Sequence, residues 1–209
     1  MTAAAIVAIA LVSILAFSGP RETVARWTHV DLSGIRIDIV PWLDHNESIT
    51  EKDLRLGSAI SLADAQSSVP FPILTLPGAG PNGVWLKAGN TVTPGAVVTL
   101  LYEADPEYPE IGSTGIGIAL MQWSEPNGAV FFIKQVAQTE QFEPVRINGS
   151  SGFWIIGGRL LTDPGAPDAT SRPSANVLIW TDRNGITYRL ESELERDAAV
   201  RLAESLGAP

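Results

Sequence analysis

The stretch Val177-Leu178-Ile179-Trp180-Thr181-Asp182-Arg183-Asn184-Gly185-Ile186-Thr187-Tyr188-Arg189-Leu190 decides how the chain is read. A β-favouring apolar run meets Asp182-Arg183-Asn184-Gly185, and in the run that follows Ile186, Tyr188 and Leu190 recur with period two. Asn and Gly tolerate positive φ, so the spacing predicts a hairpin with those three residues on one buried face. Asn148-Gly149 repeats the signal between Val145-Arg146-Ile147 and Phe153-Trp154-Ile155-Ile156.

Further strands are expected at Val84-Trp85-Leu86, Val97 to Tyr102 and Ile116 to Trp123, as neighbours of these hairpins in one antiparallel sheet. Ile35, Ile37 and Ile39 alternate with Arg36 and Asp38, which predicts another strand with one buried face, ending at Pro41. Pro70, Pro72 and Pro77 each lack a backbone donor and push the preceding residue out of helical geometry, so residues 70–77 should run extended. Ser61 and Asp64 have capping-box spacing at the start of a short helix. Ser192 and Glu195 repeat it before a final helix striped by Leu194, Ala198, Leu202 and Leu206 and stopped at Gly207. The expected fold class is therefore α+β, a curved antiparallel sheet with the C-terminal helix packed on it.

An N-terminal transmembrane helix is expected to precede that domain. Residues 1–20 carry no charge, and Ala3 to Phe17 is apolar apart from Ser13, somewhat short of the roughly 20 residues that span a bilayer. Ala16-Phe17-Ser18 resembles a signal-peptidase site, but no Lys or Arg precedes the run, which favours an uncleaved anchor. Arg21 and Arg26 follow it, and positive charge marks the cytoplasmic side. A cytoplasmic segment before Met1 would reconcile that count with an extracytoplasmic domain. The organisation expected is residues 1–20 as a transmembrane anchor or signal segment, 21–58 as a juxtamembrane helix, strand and linker, and 59–209 as the extracytoplasmic domain.

The 209 residues include 19 Gly and 15 Pro, consistent with many turns, and carry a formal charge of −9, which disfavours nucleic acid and anionic lipid as partners. No cysteine is present, so disulfides, thiolate catalysis and cysteine zinc sites are excluded.

Every candidate for chemistry has a simpler structural reading. His29 and His45 lack partners at metal-ligand spacing, and Asp44-His45-Asn46-Glu47 reads as a solvated loop. Glu103, Asp105, Glu107 and Glu110 form an acidic loop without the ligand order of an EF-hand. Gly112-Ser113-Thr114-Gly115-Ile116-Gly117 leads into a strand rather than a helix, which makes it a turn and not a phosphate loop. Ser150, Ser151 and Ser171 have no Gly-x-Ser-x-Gly elbow around them. Trp85, Trp123, Trp154 and Trp180 suit sheet packing better than ligand stacking. No catalytic, cofactor-binding or metal-binding residue is assigned, no cofactor is expected, and no ligand-binding residue is identified.

Val24-Ala25-Arg26-Trp27 leading to Gly34-Ile35-Arg36-Ile37, then Ser61 to Gln66 running into Val69-Pro70-Phe71-Pro72, and finally Trp180, Tyr188 and Ala203-Glu204-Ser205-Leu206 follow a familiar order. In this the chain resembles the extracytoplasmic domain of bacterial membrane-anchored anti-sigma factors. The resemblance implies a non-enzymatic, membrane-tethered sensory or interaction domain, with a protein or an apolar ligand as partner. It implies no sigma-factor binding, because no residue here matches the cytoplasmic segment that does that work. A carrier sheltering an apolar molecule between sheet and helix is one alternative, and a secreted hydrolase using loop carboxylates is another.

Overall fold

The computed structural model describes residues 29–32, 35–40, 49, 54, 56–89, 95–124, 132–137, 142–162 and 170–207. Thirteen strands and two helices lie within them. In chain order they are β1 (His29–Leu32), β2 (Ile35–Val40), β3 (Ser58–Ala59), α1 (Leu62–Ser68), β4 (Gly83–Lys87), β5 (Val97–Glu103), β6 (Ile116–Ser124) and β7 (Phe132–Ala137). There follow β8 (Phe142–Ile147), β9 (Ser150–Ile155), β10 (Arg159–Thr162), β11 (Thr170–Pro173), β12 (Asn176–Thr181), β13 (Ile186–Ser192) and α2 (Arg196–Ser205).

The strands form two sheets, not one. An eight-stranded antiparallel sheet has the order β3-β4-β5-β6-β13-β12-β9-β8, and a five-stranded sheet has the order β1-β2-β7-β10-β11. The strands expected as neighbours fall in the larger sheet, while the 35–40 strand pairs with β7 in parallel in the smaller one, Ile37 opposite Lys134.

The expected α+β class is thus corrected to a mostly β architecture. The described helices span only 7 and 10 residues, and a second sheet covers the face of the first that is turned away from the helices. The N-terminal transmembrane helix of that expectation is likewise not found: among the described residues no helix is long and apolar enough to cross a membrane. The run that suggested it, residues 1–20, lies outside the described residues, as do Trp27, the Asp44–Glu47 cluster and the helix expected after Pro20.

The larger sheet is buried on both sides. Toward the smaller sheet it presents Ala119, Met121, Trp123, Phe153, Val177 and Ile179, which pack with Ile37 of β2 and Leu160 of β10. Toward the helices it presents Leu100, Ile118, Leu120, Leu178, Tyr188 and Leu190, packed with Ala65 of α1, with Phe71 and Ile73, and with Ala199 and Ala203 of α2. Burial on two faces explains why β6 reads as an almost unbroken apolar run rather than an alternating one. Fully burying each large apolar side chain contributes about 1.5–3 kcal/mol, so the two layers together carry most of the stability.

Local details follow from backbone chemistry. Asn148 (φ 48°) and Gly149 (φ 82°) form a two-residue turn with both residues left-handed, as the Asn-Gly dipeptide predicts. At Asn184-Gly185 only the glycine has positive φ (80°). Asp182 organises that longer turn, its Oδ1 accepting from the Asn184 and Ile186 amides, both at 2.9 Å. Across the hairpin Trp180 and Tyr188 stand opposite one another and stack, with ring centroids 5.0 Å apart and planes at 13°.

The Ser61 cap forms as expected. Its Oγ accepts from the Asp64 amide at 3.1 Å and donates to Asp64 Oδ2 at 2.6 Å. The Ser192 cap does not form, because Ser192 is the last residue of β13 and Glu195 takes the N-cap position without a side-chain bond. The buried stripe of α2 is centred on Ala199 and Ala203 rather than on Ala198 and the leucines, and these small side chains let the helix lie close to β8, β12 and β13.

Candidate functional site

Three prolines deny residues 70–77 a regular ladder, so each amide there must find its partner individually. From Ile73 to Leu76 every one does. The Ile73 amide donates to Gln66 Oε1 (2.9 Å), that of Leu74 to Gln122 Oε1 (2.8 Å), that of Thr75 to the Gly207 carbonyl (2.8 Å) and that of Leu76 to the Tyr102 hydroxyl (3.1 Å). Gln122 and Gln66 each also donate back, to the carbonyls of Leu74 (2.7 Å) and Phe71 (2.8 Å). The result is an extended strap fixed across the helical face of the larger sheet.

Beyond its pinned part the strap walls a groove of about 440 Å³, floored and flanked by Leu62 at the start of α1, Thr75 to Pro81, and Ser205 and Gly207 at the end of α2. The volume falls in the range of small-ligand clefts. Its lining consists of apolar side chains, glycine and two hydroxyls, with no titratable group. Such a surface recognises shape and backbone polarity and has nothing with which to move a proton. Thr75 and Gly207 already form an isolated antiparallel bridge at its edge.

A second polar concentration lies between the sheets. Glu191 of β13 receives both arms of Arg172 from β11 (2.7 and 2.8 Å) and one arm of Arg189 (2.7 Å). All three side chains are buried. Burial pushes the Glu191 carboxyl up, but the charges and hydrogen bonds of Arg172 and Arg189 outweigh it and hold the group well below the usual carboxylate range. Burial also lowers Arg189, opposed by Glu191. Nearby, Lys134 of β7 donates to Ser174 Oγ and to the Gly157 carbonyl, and the Ala175 amide, next to Ser174, donates to Glu191 Oε1 (3.1 Å). This ionic layer ties β7 and β11 of the smaller sheet to β13 of the larger one.

Neither concentration was visible as a site in the sequence. Arg189 and Glu191 alternate with the apolar Tyr188 and Leu190 and were given no role; their i, i+2 spacing with opposite charge was the available signal. The strap had a signal in its prolines, but the glutamines that hold it did not.

The residues weighed in the sequence are placed as follows. Asp105 Oδ1 accepts from the Glu107 and Tyr108 amides, both at 2.7 Å, and Glu110 Oε1 accepts from the Gly115 amide at 2.7 Å, so these carboxylates close turns. Among the described residues no three His, Asp or Glu side chains gather as a metal site. The Gly112–Gly117 stretch is a turn entering β6, with Gly112 and Gly115 at positive φ. Ser150 and Ser151 sit at the start of β9, and Ser171 Oγ accepts from Arg159 Nε at 3.0 Å. His29 lies in β1, and His45 is outside the described residues. Trp123, Trp154 and Trp180 are buried core, and Trp85 packs against the inter-sheet layer. The layer between sheet and helices is occupied by packed side chains.

No protein-family model, curated protein or solved structure matches the chain.

Proposed function

We propose that the chain is a non-enzymatic interaction module that works outside the cytoplasm and takes an extended, uncharged peptide segment of a partner protein into the groove along residues 75–81. The groove carries this reading: it is concave, its wall starts at Thr75 and Leu76, whose amides are held by the Gly207 carbonyl and the Tyr102 hydroxyl, and its lining is free of titratable side chains. A pre-fixed wall lowers the ordering cost of binding, and glycines let a ligand's backbone approach closely. Export rests on the apolar run from Ala3 to Phe17.

Gly80 provides the test. A Cβ built there meets nothing within 4 Å and the residue does not need positive φ, so Gly80→Trp should fold normally while placing a large side chain on the groove's lining. Peptides selected from a random displayed library on the full chain should bind the parent and lose at least tenfold in affinity for Gly80→Trp. Equal binding to both proteins overturns the groove assignment. Protease protection on cells expressing the gene with its upstream region tests the location, and a domain that resists external protease in intact cells contradicts it.

A further inference from the structure

Glu191 has no acceptor capacity left. Its Oε1 takes Arg172 Nη1 and the Ala175 amide, and its Oε2 takes Arg172 Nη2 and Arg189 Nη1. Two oxygens offer about four acceptor directions, and all are used. Arg189, 0% exposed, keeps two donor nitrogens, Nε and Nη2, that find no hydrogen-bond partner among the described residues. These are the parallel donors of the guanidinium's side-on fork, the edge that grips an anion in two-point fashion. Its remaining arm, Nη1, is the one turned to Glu191 Oε2 and to Met121 Sδ (3.7 Å).

A buried charged donor without an acceptor is among the costlier features a fold can carry, and arginine cannot escape by losing its proton. A single carboxylate shared by two guanidinium groups also leaves positive charge in a low-dielectric layer, where an added anion is strongly favoured. The position restricts what fits: Arg189 sits mid-sheet, with Met121 and Ile179 as its cross-strand neighbours, beneath the smaller sheet.

From this we infer that the Nε–Nη2 fork of Arg189 is a binding site for one small monovalent inorganic anion, of chloride, bromide or nitrate size, enclosed between the two sheets. The anion completes the ionic layer and stabilises the docking of the smaller sheet on the larger. This site is independent of the peptide groove.

The test uses the full chain and bromide. Crystals grown in bromide should show an anomalous-scattering peak within hydrogen-bond distance of both Nε and Nη2. At constant ionic strength, replacing gluconate by bromide should raise Tm saturably, and the rise should vanish in Arg189→Lys, which keeps the charge but lacks the fork. If that variant does not fold, the crystal result on the parent chain decides alone. A water molecule or a protein carboxylate in the fork overturns the inference, as does an equal bromide response of the parent and Arg189→Lys.

Discussion

Gln122 and Leu74 hold each other by two hydrogen bonds, the Leu74 amide donating to Gln122 Oε1 at 2.8 Å and Gln122 Nε2 donating to the Leu74 carbonyl at 2.7 Å. A buried side-chain amide thus takes the part of a neighbouring strand and fixes an irregular segment to the middle of a sheet. Gln122→Leu keeps the volume but orphans both groups of Leu74. It should cost about 2–4 kcal/mol, one to two per stranded group, and accelerate hydrogen exchange of the Leu74 amide. Denaturant unfolding with amide exchange checks both, and an unchanged exchange rate would show that the strap is held by other means.

Glu191 is held well below the usual carboxylate range in the folded state, by Arg172 and Arg189 acting against burial. A depressed folded pKa gives stability that is present above the unfolded value, about 4.3, and that is lost as pH falls through the folded one. Acid should therefore destabilise the parent chain. Glu191→Gln should cost about 3–5 kcal/mol at neutral pH, because it strands two buried cations, and should lose this part of the acid dependence. Unfolding free energies at neutral and acid pH measure both effects.

Two of the three tyrosines, Tyr102 and Tyr188, are buried and raised above the ordinary phenol range. Burial is the main cause for each; the Leu76 amide opposes it at Tyr102, and the Asp182 charge adds to it at Tyr188. A raised folded pKa gives stability that is complete below the unfolded value, about 10, and that is lost as pH rises through the folded one. Ultraviolet titration should show these two phenols resisting ionisation until alkaline unfolding. Asp182→Asn should bring the Tyr188 ionisation to lower pH.

Gly152 lies where β9 meets β12, and a Cβ there would stand 2.4 Å from the Ile179 carbonyl oxygen and 2.8 Å from Trp180 Cβ. Both neighbours sit on a central strand and cannot withdraw. Gly152→Ala should cost about 1–3 kcal/mol by overpacking, whereas Gly80→Ala, in open space, should be close to neutral. Denaturation midpoints of the two variants compare them directly.

The hairpins were legible because Asn-Gly dipeptides and period-two apolar runs report local geometry, and both turns form where those signals stand. The second sheet was not legible. Thr187, Arg189 and Glu191 alternate with Ile186, Tyr188 and Leu190, and a polar face covered by another sheet has the same pattern as one covered by water. β6 held the missing clue, since an apolar run from Ile116 to Trp123 makes sense only with cover on both faces. At the groove, the prolines announced an extended segment, but its attachment depends on Gln66, Tyr102, Gln122 and Gly207, which only the fold brings to it. The final cap failed for a related reason: pairing of Ser192 with Asn176 and Ile118 extends β13 past the position where the local signal would have begun α2.

Binding of an extended peptide segment in the groove along Thr75 to Pro81 is read by amide chemical-shift mapping. A library-selected peptide titrated into the full chain should shift the amides of Gly78, Gly80 and Gly207 together, with Gly80→Trp abolishing the shifts while keeping the parent's Tm. Shifts confined to other surfaces, or a Gly80→Trp protein that binds as the parent does, would show that the groove is not the binding site.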